Sequence, residues 1–192
     1  MKNTTLLLAA AALLLAGEVK ADLVYDNGLI NGTINAISIS SGYSESDSFI
    51  VSSATTLTEV QAGLWGGGGT PAELDWSIGT SPFGSDVSSA TDAALISTPA
   101  GFSGITPLFE STFSVTGTVA PGEYWLTLMN AIPVSVGWDV TNGPSTAYEI
   151  STENQLPGSQ SFQVYGTPEP STLVLAALGA AGLFLAARRR RV

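Results

Sequence analysis

Between Asp22 and Glu169, carboxylates are the only strongly charged groups with which this chain could do chemistry. The 192 residues include no His and no Cys, and the six basic residues are Lys2, Lys20 and Arg188 to Arg191. Of the 16 acidic residues, Glu18 lies before that interval and the other 15 lie within it. Nucleophilic machinery of the Ser-His-Asp or Cys-His kind is therefore closed. So are a Schiff-base lysine, a zinc centre of His and Cys and an arginine clamp on phosphate. Glycoside hydrolysis needs only two carboxylates at a fixed separation. No spacing here marks such a pair, and the expectation is a protein that is not an enzyme. A body with 15 acids and no Lys or Arg cannot neutralise phosphates, which excludes nucleic acid as a partner. It would attract divalent cations or cationic surfaces.

Two ligand chemistries remain. Calcium takes six to eight oxygens from carboxylates, amides and backbone carbonyls. The clusters that offer them are Asp26 beside Asn27-Gly28, Glu45 with Asp47, and Asp86 with Asp92. None follows the EF-hand or the nonapeptide calcium pattern, and the plain alternative is that they are solvated loop and strand acids. No other cofactor is expected. The second chemistry is stacking of an indole on a sugar ring. Of four tryptophans, Trp65 precedes the Gly66 to Gly69 loop, and Trp138 neighbours Asp139. Trp65, Trp138 and Asp139 are the candidate sugar-binding residues, against ordinary core packing. Gly66 to Gly69 is no phosphate cradle, because neither a Lys nor a helix follows it.

The elements that must position these residues are strands. Alternating or β-branched runs occur at Leu23 to Tyr25, Ile34 to Ser40, Ser48 to Ser52, Thr56 to Trp65, Ala72 to Ile78, Ala93 to Ile96, Phe109 to Val115, Tyr124 to Asn130, Val134 to Val140 and Ser161 to Tyr165. Asn27-Gly28, Asn31-Gly32 and Asn142-Gly143 are tight-turn signals. About ten short strands with regular turns predict an all-β fold, a single jelly-roll-like β-sandwich. Period-two alternation puts Val60, Ala62 and Leu64 on one inner face, Leu74, Trp76 and Ile78 on another, and Tyr124, Leu126 and Leu128 on a third. Roughly 145 residues suffice for an ordinary core.

The two ends are of a different kind. Lys2, the apolar run Leu6 to Ala16 and the small-residue site Val19-Lys20-Ala21 form a secretory signal pattern, residues 1–21, with Asp22 as the first mature residue. Export permits disulfides, which the chain does not use. At the other end, Ser171 to Ala187 is an uncharged run long enough for one transmembrane helix, 171–187. Pro170 suits its first turn, and Arg188, Arg189, Arg190 and Arg191 would hold the C-terminus in the cytoplasm. The expected organisation is a signal peptide at 1–21, an acidic domain at 22–166 and a C-terminal segment at 167–192.

Pro168-Glu169-Pro170, the apolar span and the arginine tail, in that order, resemble the PEP-CTERM sorting domain. The same segment also carries the name ice-binding protein C-terminal domain, but no Thr-x-Thr repeat array that would suit ice is present. The resemblance implies an exported protein of a Gram-negative bacterium that makes exopolysaccharide. It also implies an exosortase, a membrane protease-transpeptidase, as the partner that cuts near Pro168, Glu169 and Pro170. The precursor would sit in the inner membrane through its C-terminal helix before delivery to the cell surface or matrix. Leu23 to Gly28, Ile30 to Thr33, Ser46 to Phe49, Leu74 to Gly79, Gly122 to Leu128, Gly137 to Asp139, Asn142 to Ser145, Ala147-Tyr148 and Phe162 to Gly166 are similar to the body of a group of PEP-CTERM proteins. That similarity implies one β domain and no particular activity. The expected role is non-catalytic and structural; the alternative is a calcium-dependent module that binds exopolysaccharide.

Overall fold

The computed structural model describes residues 21–33, 35–150, 154–156, 158–169 and 179. The expected signal peptide, apart from Ala21, and the expected span at 171–187, apart from Gly179, lie outside these residues, as do Pro170 and Arg188 to Arg191. Among the described residues no helix is long and apolar enough to cross a membrane.

Alternation builds the central strand, β4 (Thr55–Gly66). Leu57, Val60, Ala62 and Leu64 are buried, while Thr56, Thr58, Glu59 and Gln61 face outward. On one side β4 pairs with β8 (Thr106–Val119), and β8 pairs with the edge strand β7 (Ile96–Ser103). The other side of β4 is shared. β14 (Phe162–Pro168) covers Thr55 to Ala62, and β10 (Val136–Thr141) takes over at Leu64 to Gly66. Beyond β14 lies β1 (Asp22–Asp26); beside β10 lie the short β2 (Ala36–Ser38) and β13 (Ser159–Gln160).

The second sheet runs β12 (Asn154–Gln155), β11 (Ala147–Glu149), β3 (Ser44–Val51), β9 (Gly122–Ile132), β5 (Glu73–Gly79), β6 (Ser88–Ala94). Each strand pair in both sheets is antiparallel. The sheets share one core. Phe49 on β3 meets Phe162 on β14 edge-on at 6.4 Å, and Trp76 on β5 meets Phe113 on β8 at 6.5 Å. Such ring pairs bury large area and favour tilted or edge-on contact.

The all-β expectation holds in the described residues, as do the three inner faces: Val60, Ala62, Leu64, Leu74, Trp76, Ile78, Tyr124, Leu126 and Leu128 are all buried. Two details differ. The run Ala93 to Ile96 is not one strand, because β6 ends at Ala94 and β7 begins at Ile96. Strands β11, β12 and β13 are only two or three residues long, too short for alternation to register. The turn signals at Asn27-Gly28 and Asn31-Gly32 match left-handed glycines, with φ of 98° and 60°.

Candidate functional site

The largest concentration of buried polar groups lies between the sheets. On β3, residues 45, 47, 49 and 51 share the inner face, as period two requires. Phe49 and Val51 join the core, but Glu45 and Asp47 occupy the same face and are fully buried. Asp47 Oδ2 accepts from the Gln160 backbone N–H (2.5 Å) and from Asn27 Nδ2 (3.3 Å). Asn27, itself fully buried, also donates to the Gln160 carbonyl (2.6 Å) and to Ser145 Oγ (2.5 Å). Asp47 Oδ1 and Glu45 Oε2 have no hydrogen-bond partner.

Gln160 is satisfied when its Nε2 donates to the main-chain oxygens of Asp139 (3.1 Å) and Trp138 (3.2 Å). Its Oε1 then faces Glu45 Oε1 across 3.5 Å. Two oxygens in that relation need a proton or a cation between them. Glu149, directly opposite Glu45 on β11, adds a third carboxylate nearby. Burial pushes the Glu45 carboxyl up to about 9, helped by the charges of Glu149 and Asp47. Burial likewise lifts Asp47 to about 7, against the opposing pull of the Ser145 hydroxyl and the Gln160 and Ser48 N–H groups. At neutral pH Glu45 would carry its charge only with a compensating cation, while Asp47 stands near the midpoint of its titration. The body holds no Lys or Arg to supply one.

The other calcium candidates are placed apart. Asp26 Oδ1 accepts from Gly28 N–H (2.9 Å) in an exposed turn. Asp86 closes the loop after β5, accepting from the Thr80 N–H (2.9 Å) and hydroxyl (2.8 Å), bonds that hold its carboxyl below its usual range. Asp92 lies in β6 at a φ of 52°, with its N–H donated to Asp75 Oδ1 (2.8 Å). The structure thus keeps Glu45 with Asp47 and separates Asp86 from Asp92 by most of β6. Among the described residues no three acidic side chains converge as a ready metal cage.

The indoles sort by burial. Trp138 is fully buried, packs on Phe162 at 5.6 Å and donates Nε1 to the Ser161 carbonyl (2.9 Å), so it has no face for a sugar. This corrects its place among the sugar-binding candidates: successive residues on β10 point to opposite faces, and Trp138 takes the core side. Trp65 is half-buried and lines an open groove of about 380 Å³ with Asn35, Ala36, Ser38, Gly67, Thr106, Ser135, Val136 and Gly137. Asp139 is fully buried and does not reach solvent either; it positions Trp65. Its Oδ1 accepts from Trp65 Nε1 at 2.6 Å and its Oδ2 from the Asn31 N–H at 3.1 Å. Burial raises the Asp139 carboxyl, and these donors oppose the rise.

Sequence reasoning missed Asn27, Ser145, Gln160 and Glu149 as partners of the acid pair. No local signal marks them, since Gln160 lies 113 residues from Asp47.

The third feature is the end of β14. Thr167 pairs with Thr56 and Pro168 with Thr55, and the Glu169 N–H donates to the Ala54 carbonyl at 3.0 Å. An acidic β-protein whose last strand runs straight into a proline-flanked C-terminal segment is the class this geometry defines. Residues 167–191 match the model of the PEP-CTERM protein-sorting motif, so the chain carries a C-terminal segment similar to that sorting motif. The motif implies an exosortase as processing partner and a destination beyond the membrane. No curated protein matches the chain.

Proposed function

We propose that this is an exported cell-surface or extracellular-matrix protein of an exopolysaccharide-producing bacterium. Its β domain serves a structural, non-catalytic role after processing of the sorting tail. The observation that carries this is the direct fusion of a folded, purely acidic β domain to the sorting motif at Thr167. A non-catalytic role is supported by the burial of Glu45, Asp47 and Asp139, which keeps these carboxyls from any substrate. The signal peptide, the inner-membrane span and the cytoplasmic arginines complete the route. The test is the intact mass of the protein from its own host, separated into inner membrane, outer surface and medium. A tail-less mass outside the inner membrane is expected. A mass that retains Arg188 to Arg191 in the inner membrane would replace the matrix role by a tethered one.

A second reading, a calcium-dependent carbohydrate-binding module, is favoured by the Trp65 groove together with the oxygen cluster at Glu45 and Asp47. The half-buried Trp65 indole, held by the Asp139 carboxylate, offers the ring edge and face that line the groove as a stacking platform. Calcium would be the cation between the facing oxygens. Calorimetric titration of host exopolysaccharide, with and without calcium, checks it. Trp65→Ala is expected to weaken binding at least tenfold, and no heat with either protein would remove the module reading.

A further inference from the structure

The sorting motif does not begin after the domain; it begins inside it. The matched segment starts at Thr167, and β14 ends at Pro168. No linker separates the two. Up to Gly166, β14 is a central strand, with β1 on one edge (Asp22 opposite Gly166, Leu23 opposite Tyr165) and β4 on the other. Among the described residues, from Thr167 onward only β4 pairs with the strand, and the tie furthest along the chain is the Glu169 N–H to Ala54. The approach to β4 is close at Gly166: a Cβ there would stand 2.7 Å from both Thr55 Cγ2 and the Thr56 carbonyl oxygen.

A protease binds its substrate as an extended strand through free backbone donors and acceptors. Residues already paired in a sheet offer none until they peel away. Pro168, which lacks an N–H, also makes the exposed side of the strand end a poor template for a new strand. We propose that the folded domain sets the processing boundary itself. β14 and the Glu169 tie shield the chain through Glu169, the enzyme reaches only the bonds beyond it, and the mature protein keeps its complete last strand. This rests on the reading that the tail is processed, but the clamp is a property of the precursor and can be measured without processing.

Two measurements on the full-length precursor in detergent test it. In hydrogen exchange, the Glu169 amide is expected to be slowed on the order of tenfold or more relative to free chain, as a strand amide is. Exchange at the free-chain rate overturns the clamp whether or not an exosortase acts. In digestion with proteinase K, an unspecific protease, the resistant fragment is expected to end at Glu169 or later. A fragment ending before Pro168 overturns the boundary. Gly166→Val, which pushes the strand end off β4, is expected to move the cut upstream; because it could also unfold the domain, its near-ultraviolet circular dichroism is recorded. A separate variant with a six-residue Gly-Ser insertion between Glu169 and Pro170 leaves every strand pair intact. It is expected to be cut within the insertion and never upstream of it; upstream cuts overturn the proposal.

Discussion

At the residue scale the decisive fact is two buried carboxyls with no cation in the domain to answer them. Glu45 and Asp47 each have a folded pKa above the unfolded one, so the folded state binds more protons. Stability is then greatest below about pH 4 and falls as pH rises, through about 7 for Asp47 and about 9 for Glu45. Each such group removes at most about 1.4 kcal/mol per pH unit within its window. The melting temperature in chelator is therefore expected to fall steadily between pH 5 and pH 9. Glu45→Gln keeps the shape and drops the charge, so it is expected to raise the melting temperature at pH 8 and change it little at pH 4. If calcium binds there, millimolar calcium raises the wild-type melting temperature at pH 8 by mass action and does nothing for Glu45→Gln. Asp139 works differently, as the acceptor for both Trp65 and the Asn31 backbone. Asp139→Ala strands both donors and is expected to cost about 1–3 kcal/mol for each donor left buried, read by urea unfolding.

At the element scale, the handover from β14 to β10 along one edge of β4 explains why Gly63 stands where it does. A Cβ at Gly63 would overlap Ser161 Oγ and lie 2.7 Å from Ile30 Cβ. The Gly63 N–H donates to the Ser161 carbonyl (3.0 Å), and Ser161 donates to the Asp139 carbonyl (2.8 Å), so backbone here runs against backbone. Gly63→Val is expected to cost about 1–3 kcal/mol by overpacking, and to disturb the Trp65–Asp139 bond nearby. A drop in melting temperature with altered tryptophan fluorescence is the expected pair of readouts. Unchanged fluorescence would separate the groove from the handover.

At the scale of the whole molecule, β4 acts as a ruler. Its first residue, Thr55, lies beside Pro168, and its penultimate residue, Trp65, lines the groove. Ten residue steps of about 3.3 Å place Trp65 roughly 33 Å along the strand from Thr55. Asp22, the expected first mature residue, lies opposite Gly166 at the tail end. Removing residues 170–192 leaves every strand of the described residues in place. It is expected to leave the melting temperature unchanged and to abolish surface delivery, which fractionation checks.

What the sequence by itself determined is what depends on neighbours in the chain or on residue type alone. Alternation at Val60, Ala62 and Leu64 set the buried faces, because side chains on a strand point to opposite sides with a period of two. The absence of His, Cys, Lys and Arg from the body excluded whole classes of chemistry without any coordinates. The order of prolines, apolar run and arginines marked the tail. Tertiary structure decided what depends on residues far apart. Glu45 with Asp47 was one of three acidic clusters of equal standing in the sequence, and the fold alone closed Asn27 and Gln160 over Asp47. Trp138 and Trp65 looked alike until the register of β10 sent one into the core and left the other on a groove. In the sequence the motif at Pro168 has only its order along the chain; the fold ties its Glu169 amide to the Ala54 carbonyl. Strand pairing joins segments by geometry that no local spacing encodes, and the candidate sites of this protein lie where such pairings meet.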